Sequence, residues 1–157
     1  MLLYKLACRS IGMEKQLEAY LYQHIPITKA MGICVEYASP DKIIVTAPFA
    51  TNINHKKTVF GGSLHAVATM ACWCLLHVNL KEDKQIQIVI TNSNVDYLAP
   101  VDGNFKAECV MPEKQEWQRF MQILLSKGRA RIKLSAKIYH NDRLAVDYHA
   151  VFAAIKT

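Results

Sequence analysis

The sequence has no internal repeat, no low-complexity tract and no linker-like segment among its 157 residues. A chain of this length is large enough to bury a hydrophobic core and too short for two ordinary domains. Hydrophobic residues make up 52% of the chain, which excludes an intrinsically disordered protein. We therefore expect a single folded domain spanning residues 1–157.

Acidic residues are in short supply. There are 13 Asp and Glu against 19 Lys and Arg, so the formal net charge is +6, with a pI near 9.1. This balance favours an anionic partner, whether nucleic acid, a membrane surface or a phosphate-bearing molecule. Nucleic acid is the weakest of these, because the basic residues between positions 129 and 137 are not interleaved with aromatic rings that could stack on bases.

Several other signals are missing. Lys5 and Arg9 interrupt the only early apolar stretch, so no secretory signal is predicted. Five cysteines are an odd number, and Cys72 and Cys74 lie in an apolar run, which favours reduced thiols in a cytoplasmic protein over a disulfide framework. No metal-ligand spacing, phosphate-binding loop, dinucleotide fingerprint or serine nucleophile elbow is present, and we expect no cofactor.

Residues 58–80 contain no charged side chain apart from two histidines, and their length would allow a transmembrane helix. Polar side chains are nevertheless spread along this stretch, and each would be costly in hydrocarbon. They are Ser63, His65, Thr69, His77 and Asn79. We predict a helix from Gly61 to about Leu80 that is buried within a domain and does not span a membrane.

The remaining pattern predicts two more helices and six strands. The helices are expected at about 14–24 and 112–127, the second with an apolar face formed by Trp117, Phe120, Met121, Leu124 and Leu125. The strands are expected at 33–37, 42–48, 85–98, 105–109, 129–138 and 144–155. Hairpins with a single long helix between them predict an α+β fold with a mainly antiparallel sheet.

Three segments carry a family resemblance: NHKKTVFGGSL at 54–64, VDYLAPVDG at 95–103 and GRARI at 128–132. Together they resemble the hotdog-fold acyl-CoA thioesterases, and most closely the thioesterase-like domain found C-terminal to an acetyltransferase domain in some bacterial proteins. The resemblance extends from about Glu14 to Ile155. It implies a hotdog fold, in which a six-stranded, mainly antiparallel sheet wraps around a central helix. It also implies hydrolysis of acyl-CoA or acyl-carrier-protein thioesters at the interface of a homodimer.

One motif of the phenylacetyl-CoA-type thioesterases is only partly present. That motif has an Asn, a Thr, a His-Gly-Gly and then an Asp on the helix. The matching residues here are Asn54, Thr58, Gly61 and Gly62. Phe60 replaces the His, and Thr69 stands where the Asp would fall. Because that Asp activates water or attacks the thioester, the resemblance leaves the catalytic base to be found elsewhere.

Thioester hydrolysis needs an oxyanion stabiliser, a nucleophile and a base. The amides of Gly61 and Gly62 at a helix start suit the first role, although two glycines also serve a simple turn. Asn54 suits holding the carbonyl or the water, or else capping its own loop. His55 is the only near-neutral base in the loop. Thr69 has a hydroxyl that can orient water but cannot act as a base at neutral pH.

Three further groups have both a functional and a structural interpretation. Asp96 is a second candidate proton acceptor, or one of a row of solvated polar groups on its strand. Arg129 and Arg131 belong to a basic stripe that either contacts the CoA phosphates or is a solvated face. His65 lies one helical turn from Thr69 and is more typical of a core histidine.

Two other functions fit the same residues. The missing helix Asp favours a non-catalytic acyl-CoA-binding module. A hotdog hydratase or dehydratase would instead use His55 with Asp96 as its acid and base.

Overall fold

The computed structural model describes the backbone of residues 2–157 and the side chains of residues 12–157. Lys5 and Arg9, which carry the expectation about a secretory signal, lie outside the described side chains. The helices are α1 Leu2–His24, α2 Ile27–Ala30, α3 Gly61–Leu80 and α4 Lys114–Lys127. The strands are β1 Cys34–Ala38, β2 Lys42–Ala47, β3 Ile86–Tyr97, β4 Phe105–Val110, β5 Arg129–His140 and β6 Arg143–Lys156.

The six strands form one sheet in the order β1-β2-β4-β5-β6-β3, and every neighbouring pair is antiparallel. The sheet packs around α3, whose Val67, Ala71 and Leu75 have no exposed surface. This arrangement confirms the predicted α+β hotdog fold. The tight turn between β5 and β6 uses Asn141 and Asp142 at positive φ, as short polar side chains allow.

The central helix begins and ends where the sequence predicts. By length and composition it is apolar enough to cross a membrane, yet 61% of its most apolar window is buried inside the domain. Its own apolar side chains are distributed all round the helix axis, because neighbouring elements cover the helix on most sides.

Three predictions about the other helices are wrong in detail. The first helix begins at Leu2 and not near Glu14. The second begins at Lys114, two residues after Pro112. Leu125 is 77% exposed and does not belong to the apolar face of α4, where Phe120 and Leu124 are buried. Adjacent helical residues are about 100° apart around the axis, so Leu124 and Leu125 cannot both face the sheet.

The two edges of the sheet differ. At β1, the carboxylates of Glu14 and Glu18 on α1 accept hydrogen bonds from the backbone N–H groups of Ala38, at 3.1 Å, and Val35, at 3.0 Å. At the other edge, no strand of residues 2–157 pairs with the outer side of the twelve-residue β3. One edge is therefore protected by its own chain, and the other is open.

Alternation along β3, shifted by one residue at a β-bulge between Ile90 and Asn92, decides which side chains approach the helix. Ser93 and Tyr97 point toward α3, since they hydrogen-bond to His65 and Gly61. Asn92, Asn94 and Asp96 therefore lie on the opposite face, which we call the outer face.

Candidate functional site

The loop before α3 is shaped by Asn54. Its Oδ1 accepts hydrogen bonds from the backbone N–H groups of Lys56, at 2.8 Å, and Thr58, at 3.2 Å. Its Nδ2 donates to Thr58 Oγ1 at 3.0 Å. The loop is anchored to the rest of the fold by a hydrogen bond from the Val59 N–H to the Val101 carbonyl at 2.7 Å. Asn54 and Thr58 thus belong to one hydrogen-bonded loop, and His55 is exposed within it.

Gly61 and Gly62 form the first turn of α3. N–H groups in a first helical turn have no acceptor within the helix and lie at its positive end. Tyr97 donates its hydroxyl to the Gly61 carbonyl at 3.1 Å, which ties β3 to the helix start. A Cβ at Gly62 would lie 2.4 Å from Cε1 of Phe60. A side chain at position 62 would therefore displace the exposed Phe60 ring from its present position.

Thr69 is fully hydrogen-bonded. Its hydroxyl donates to the His65 carbonyl at 2.9 Å and lies 2.8 Å from the Tyr148 hydroxyl. Because a threonine hydroxyl has a single proton, Tyr148 is the donor in the second bond. Tyr148 is completely buried, and burial raises the pKa of its phenol to about 12. Position 69, where the phenylacetyl-CoA-type motif has its Asp, carries a threonine that forms a neutral hydroxyl pair with Tyr148.

His65 meets a residue that the sequence did not single out. Its Nε2 lies 3.0 Å from Ser93 Oγ on β3. Its ring sits edge-on to the Tyr148 ring, with the centroids 5.4 Å apart and the planes at 76°. Strict alternation would put Ser93 on the face opposite Ile86 and Ile88, and only the β-bulge between Ile90 and Asn92 turns it toward α3. The sequence therefore marks only Tyr148, a tyrosine in a buried strand whose hydroxyl needs a partner.

Asp96, Arg129 and Arg131 do not join this group. Asp96 is on the outer face, opposite Asp147 of β6. The stripe of Arg129 and Arg131 is exposed on the same outer face. Arg129 pairs with Ile155, at the far end of the sheet from Tyr97. The sheet therefore separates these side chains from Gly61 and Gly62 within one chain.

A groove of about 710 Å³ runs between the second half of α3 and the start of β3. The rings of Trp73 and His77 stack there, with centroids 4.8 Å apart, and Tyr20 of α1 lies 4.4 Å from the His77 ring. Burial, the Lys81 ammonium and His24 lower the pKa of His77 below its usual 6.5. Among residues 12–157, no group of three or more His, Cys, Asp or Glu side chains is arranged to hold a metal ion.

Comparison with known proteins places this geometry in a family. The model of the family described as "Putative thioesterase (yiiD_Cterm)" matches residues 14–156. The chain belongs to this family. As the residues predicted, it is a member of the hotdog thioesterase superfamily.

Solved structures share the fold of this family member. A protein of unknown function from Chlorobaculum tepidum is 35% identical, with a TM-score of 0.86 and coverage of 92% of this chain and 94% of that one. A "putative thioesterase" from Shewanella oneidensis is 22% identical, with a TM-score of 0.80 and coverage of 92% and 98%. A point mutant of the phenylacetic acid degradation protein PaaI from Thermus thermophilus is 18% identical, with a TM-score of 0.61 and coverage of 84% and 99%.

Proposed function

We propose that this thioesterase-family protein hydrolyses acyl-CoA or acyl-carrier-protein thioesters, and that residues 1–157 act as one thioesterase domain. The observation that carries the proposal is the position of the Gly61 and Gly62 amides. They are free of intrahelical acceptors and lie at the positive end of α3, one helical turn from His65. Donors in this position stabilise the negative charge that develops on a thioester oxygen.

The proposed acyl site is the groove between α3 and β3. Its walls include Leu80, Ile86, Ile88 and Val89, which are apolar, together with the stacked rings of Trp73 and His77. A mostly apolar groove with a few polar groups at one end is the usual form of a site for an apolar ligand.

The roles predicted for Asn54, His55, Thr69 and Asp96 stay predictions. Asn54 supports the loop that leads into α3, and its Oδ1 is already engaged by two backbone amides. Asp96 lies across the sheet from the Gly61 and Gly62 amides. These positions favour a role for Asn54 in shaping the loop. They also favour a proton acceptor that lies on the side of the sheet facing α3.

We propose that Lys56 binds the CoA phosphates, as an alternative to the predicted Arg129 and Arg131. Lys56 is exposed in the loop that leads directly into α3, whereas the two arginines lie on the outer face. Phosphate contacts of this kind are charge-assisted and weaken with salt.

The active form is proposed to be a homodimer that pairs along β3. No strand of residues 2–157 pairs with the outer edge of this twelve-residue strand, whereas Glu14 and Glu18 accept hydrogen bonds from the β1 edge. Val89 and Ile90 are 41% and 43% exposed there. Pairing with a second copy would satisfy the open edge and cover these side chains.

A reducing compartment such as the cytoplasm is also proposed. Cys34, Cys72, Cys74 and Cys109 are free thiols. Burial raises the pKa of Cys72 and of Cys74, which keeps both thiols protonated and unreactive.

The function is tested by incubating the purified protein with a panel of acyl-CoA thioesters of increasing chain length and following release of the free thiol. We expect release that depends on enzyme concentration and saturates with substrate. Binding of acyl-CoA without release would favour the acyl-CoA-binding module. A change of 3-hydroxyacyl-CoA into enoyl-CoA, without free thiol, would favour the hydratase or dehydratase.

A further inference from the structure

We propose that Ser93 and His65 form a nucleophile–base dyad, and that hydrolysis proceeds through an acyl ester on Ser93. This inference rests on the proposed function, because it names how the same site breaks the thioester. The dyad would supply the nucleophile and the base that Thr69, unlike an Asp, cannot provide.

The geometry of the two side chains fits these roles. Ser93 Oγ lies 3.0 Å from His65 Nε2, within the 2.6–3.2 Å or so that a nucleophile and its base require. The residues come from different elements, β3 and α3, and only the packing of the helix against the edge strand brings them together. Ser93 is exposed in the single chain, and its hydroxyl points toward His65 and away from the backbone edge that is proposed to pair with a second copy.

The imidazole is held in place on a second side. The edge-on contact with the buried Tyr148 ring fixes the ring plane of His65. His65 is also one helical turn from Gly61. Both residues are contacted from β3, His65 by Ser93 and the Gly61 carbonyl by Tyr97, so the base and the nucleophile lie on the β3 side of α3, one turn from the candidate oxyanion donors.

The alternatives on the same face are weaker. The hydroxyl of Thr69 donates to the His65 carbonyl and accepts from Tyr148, so it neither activates water nor attacks the thioester. Asp96 is on the outer face. Water is a less direct nucleophile, because Ser93 already occupies the Nε2 position from which a proton would be taken.

The reaction balances in two steps. Ser93 Oγ attacks the thioester carbon while its proton passes to His65 Nε2; the C–S bond breaks, and the leaving sulfur takes that proton as a free thiol. Water then attacks the Ser93 ester and gives one proton to Nε2. The C–O bond to Ser93 breaks, the proton returns to Oγ, and the acid is released.

The decisive measurement uses the unmodified protein. It is mixed with a short acyl-CoA, quenched in acid after the first turnovers, and analysed by intact mass and peptide mapping. We expect an added acyl mass on the peptide that contains Ser93, and a first turnover of thiol release faster than the steady state. An adduct on another residue, or linear release with no adduct, overturns the dyad.

Variants give an independent test. We expect Ser93→Ala and His65→Gln each to lower kcat by about 10²–10⁴-fold, the range for a positioned proton-transfer group. Ser93→Cys should still form the adduct. Ser135→Ala is the matched control, since Ser135 is on the outer face of β5, and should keep full activity. Thermal unfolding and binding of a non-hydrolysable thioether analogue should be unchanged in all four variants.

The outcomes separate the two proposals. If the unmodified protein hydrolyses thioesters while Ser93→Ala retains its kcat within about twofold, the dyad is wrong and the thioesterase stands. If the unmodified protein releases thiol from no substrate, both fail. If a substitution at position 93 prevents folding, the adduct map of the unmodified protein decides.

Discussion

Tyr148 donates its hydroxyl to Thr69 across the interface of β6 and α3 at 2.8 Å. This bond gives Thr69 a structural role, because the neutral threonine satisfies a completely buried phenol. An unpaired hydroxyl buried there would cost about 1–3 kcal/mol.

The first prediction concerns this pair and the free energy of unfolding. Thr69→Val should destabilise the protein by about 1–3 kcal/mol, because it removes the acceptor and leaves the Tyr148 hydroxyl unpaired. The double variant Thr69→Val/Tyr148→Phe should recover part of that loss, since neither polar group then remains. Urea denaturation of the two single variants and the double variant measures the coupling. If the losses in the free energy of unfolding of the two single variants add up to the loss of the double variant, the bond contributes nothing to stability.

The second prediction places the Asp of the phenylacetyl-CoA-type motif at position 69. In Thr69→Asp, we expect Tyr148 to donate to the new carboxylate and hold it one helical turn beyond His65. This carboxylate can activate water directly, so Thr69→Asp should raise kcat of a Ser93→Ala protein on short acyl-CoA substrates by about tenfold or more. The assay is thiol release by the single and double variants. If the double variant is no more active than Ser93→Ala, position 69 does not face the reacting carbon.

The third prediction concerns recognition of the CoA phosphates. Lys56→Ala should raise KM about three- to tenfold with kcat unchanged, because a contact made equally in the ground and transition states affects binding alone. Added salt should raise KM of the unmodified protein and have less effect on the variant. Arg129→Ala and Arg131→Ala are measured beside it. A rise in KM in these two and not in Lys56→Ala would place the phosphates on the outer face.

The fourth prediction concerns the ring stack and pH. Burial and nearby positive charge lower the pKa of His77 in the folded protein below 6.5. As the pH falls through that value, the unfolded chain takes up the proton first, so the stability from neutral His77 is present above about pH 6.5 and is lost below it. We expect the melting temperature of His77→Phe to fall less between about pH 7.5 and pH 5 than that of the unmodified protein.

The control for this prediction is His55→Gln, because His55 is exposed in its loop. Its melting temperature should depend on pH as in the unmodified protein. Equal pH dependence in His77→Phe and the unmodified protein would contradict the assignment to His77.

The fifth prediction concerns the oligomer. Light scattering at micromolar concentration should give twice the 17.8 kDa chain mass. Ile90→Lys adds a charge at the open edge of β3 and should shift the protein toward monomer. Val110→Lys is the matched control: Val110 is also exposed, but on β4, inside the sheet. A monomeric unmodified protein would remove the shared-site proposal.

The sequence by itself determined the elements with a clear hydrophobic pattern. The alternation of β5 follows from one buried face, since a one-residue shift would turn its apolar side chains toward water, and α3 follows from a long run without charged residues. The family also followed from local sequence, because the loop from Asn54 to Gly62 and the end of β3 form contiguous motifs. The apolar face of α4 was assigned too widely, because composition does not say where a helix stops touching the sheet.

Tertiary structure alone decided which polar groups meet. Ser93 and His65 are 28 residues apart, and Thr69 and Tyr148 are 79 apart; neither pair leaves a local pattern, because each bond exists only when α3 packs on the sheet. The same holds for Asp96 and the basic stripe. Their residue types suited a site, but the side of the sheet that α3 covers and, for Asp96, the β-bulge between Ile90 and Asn92 placed them on the outer face.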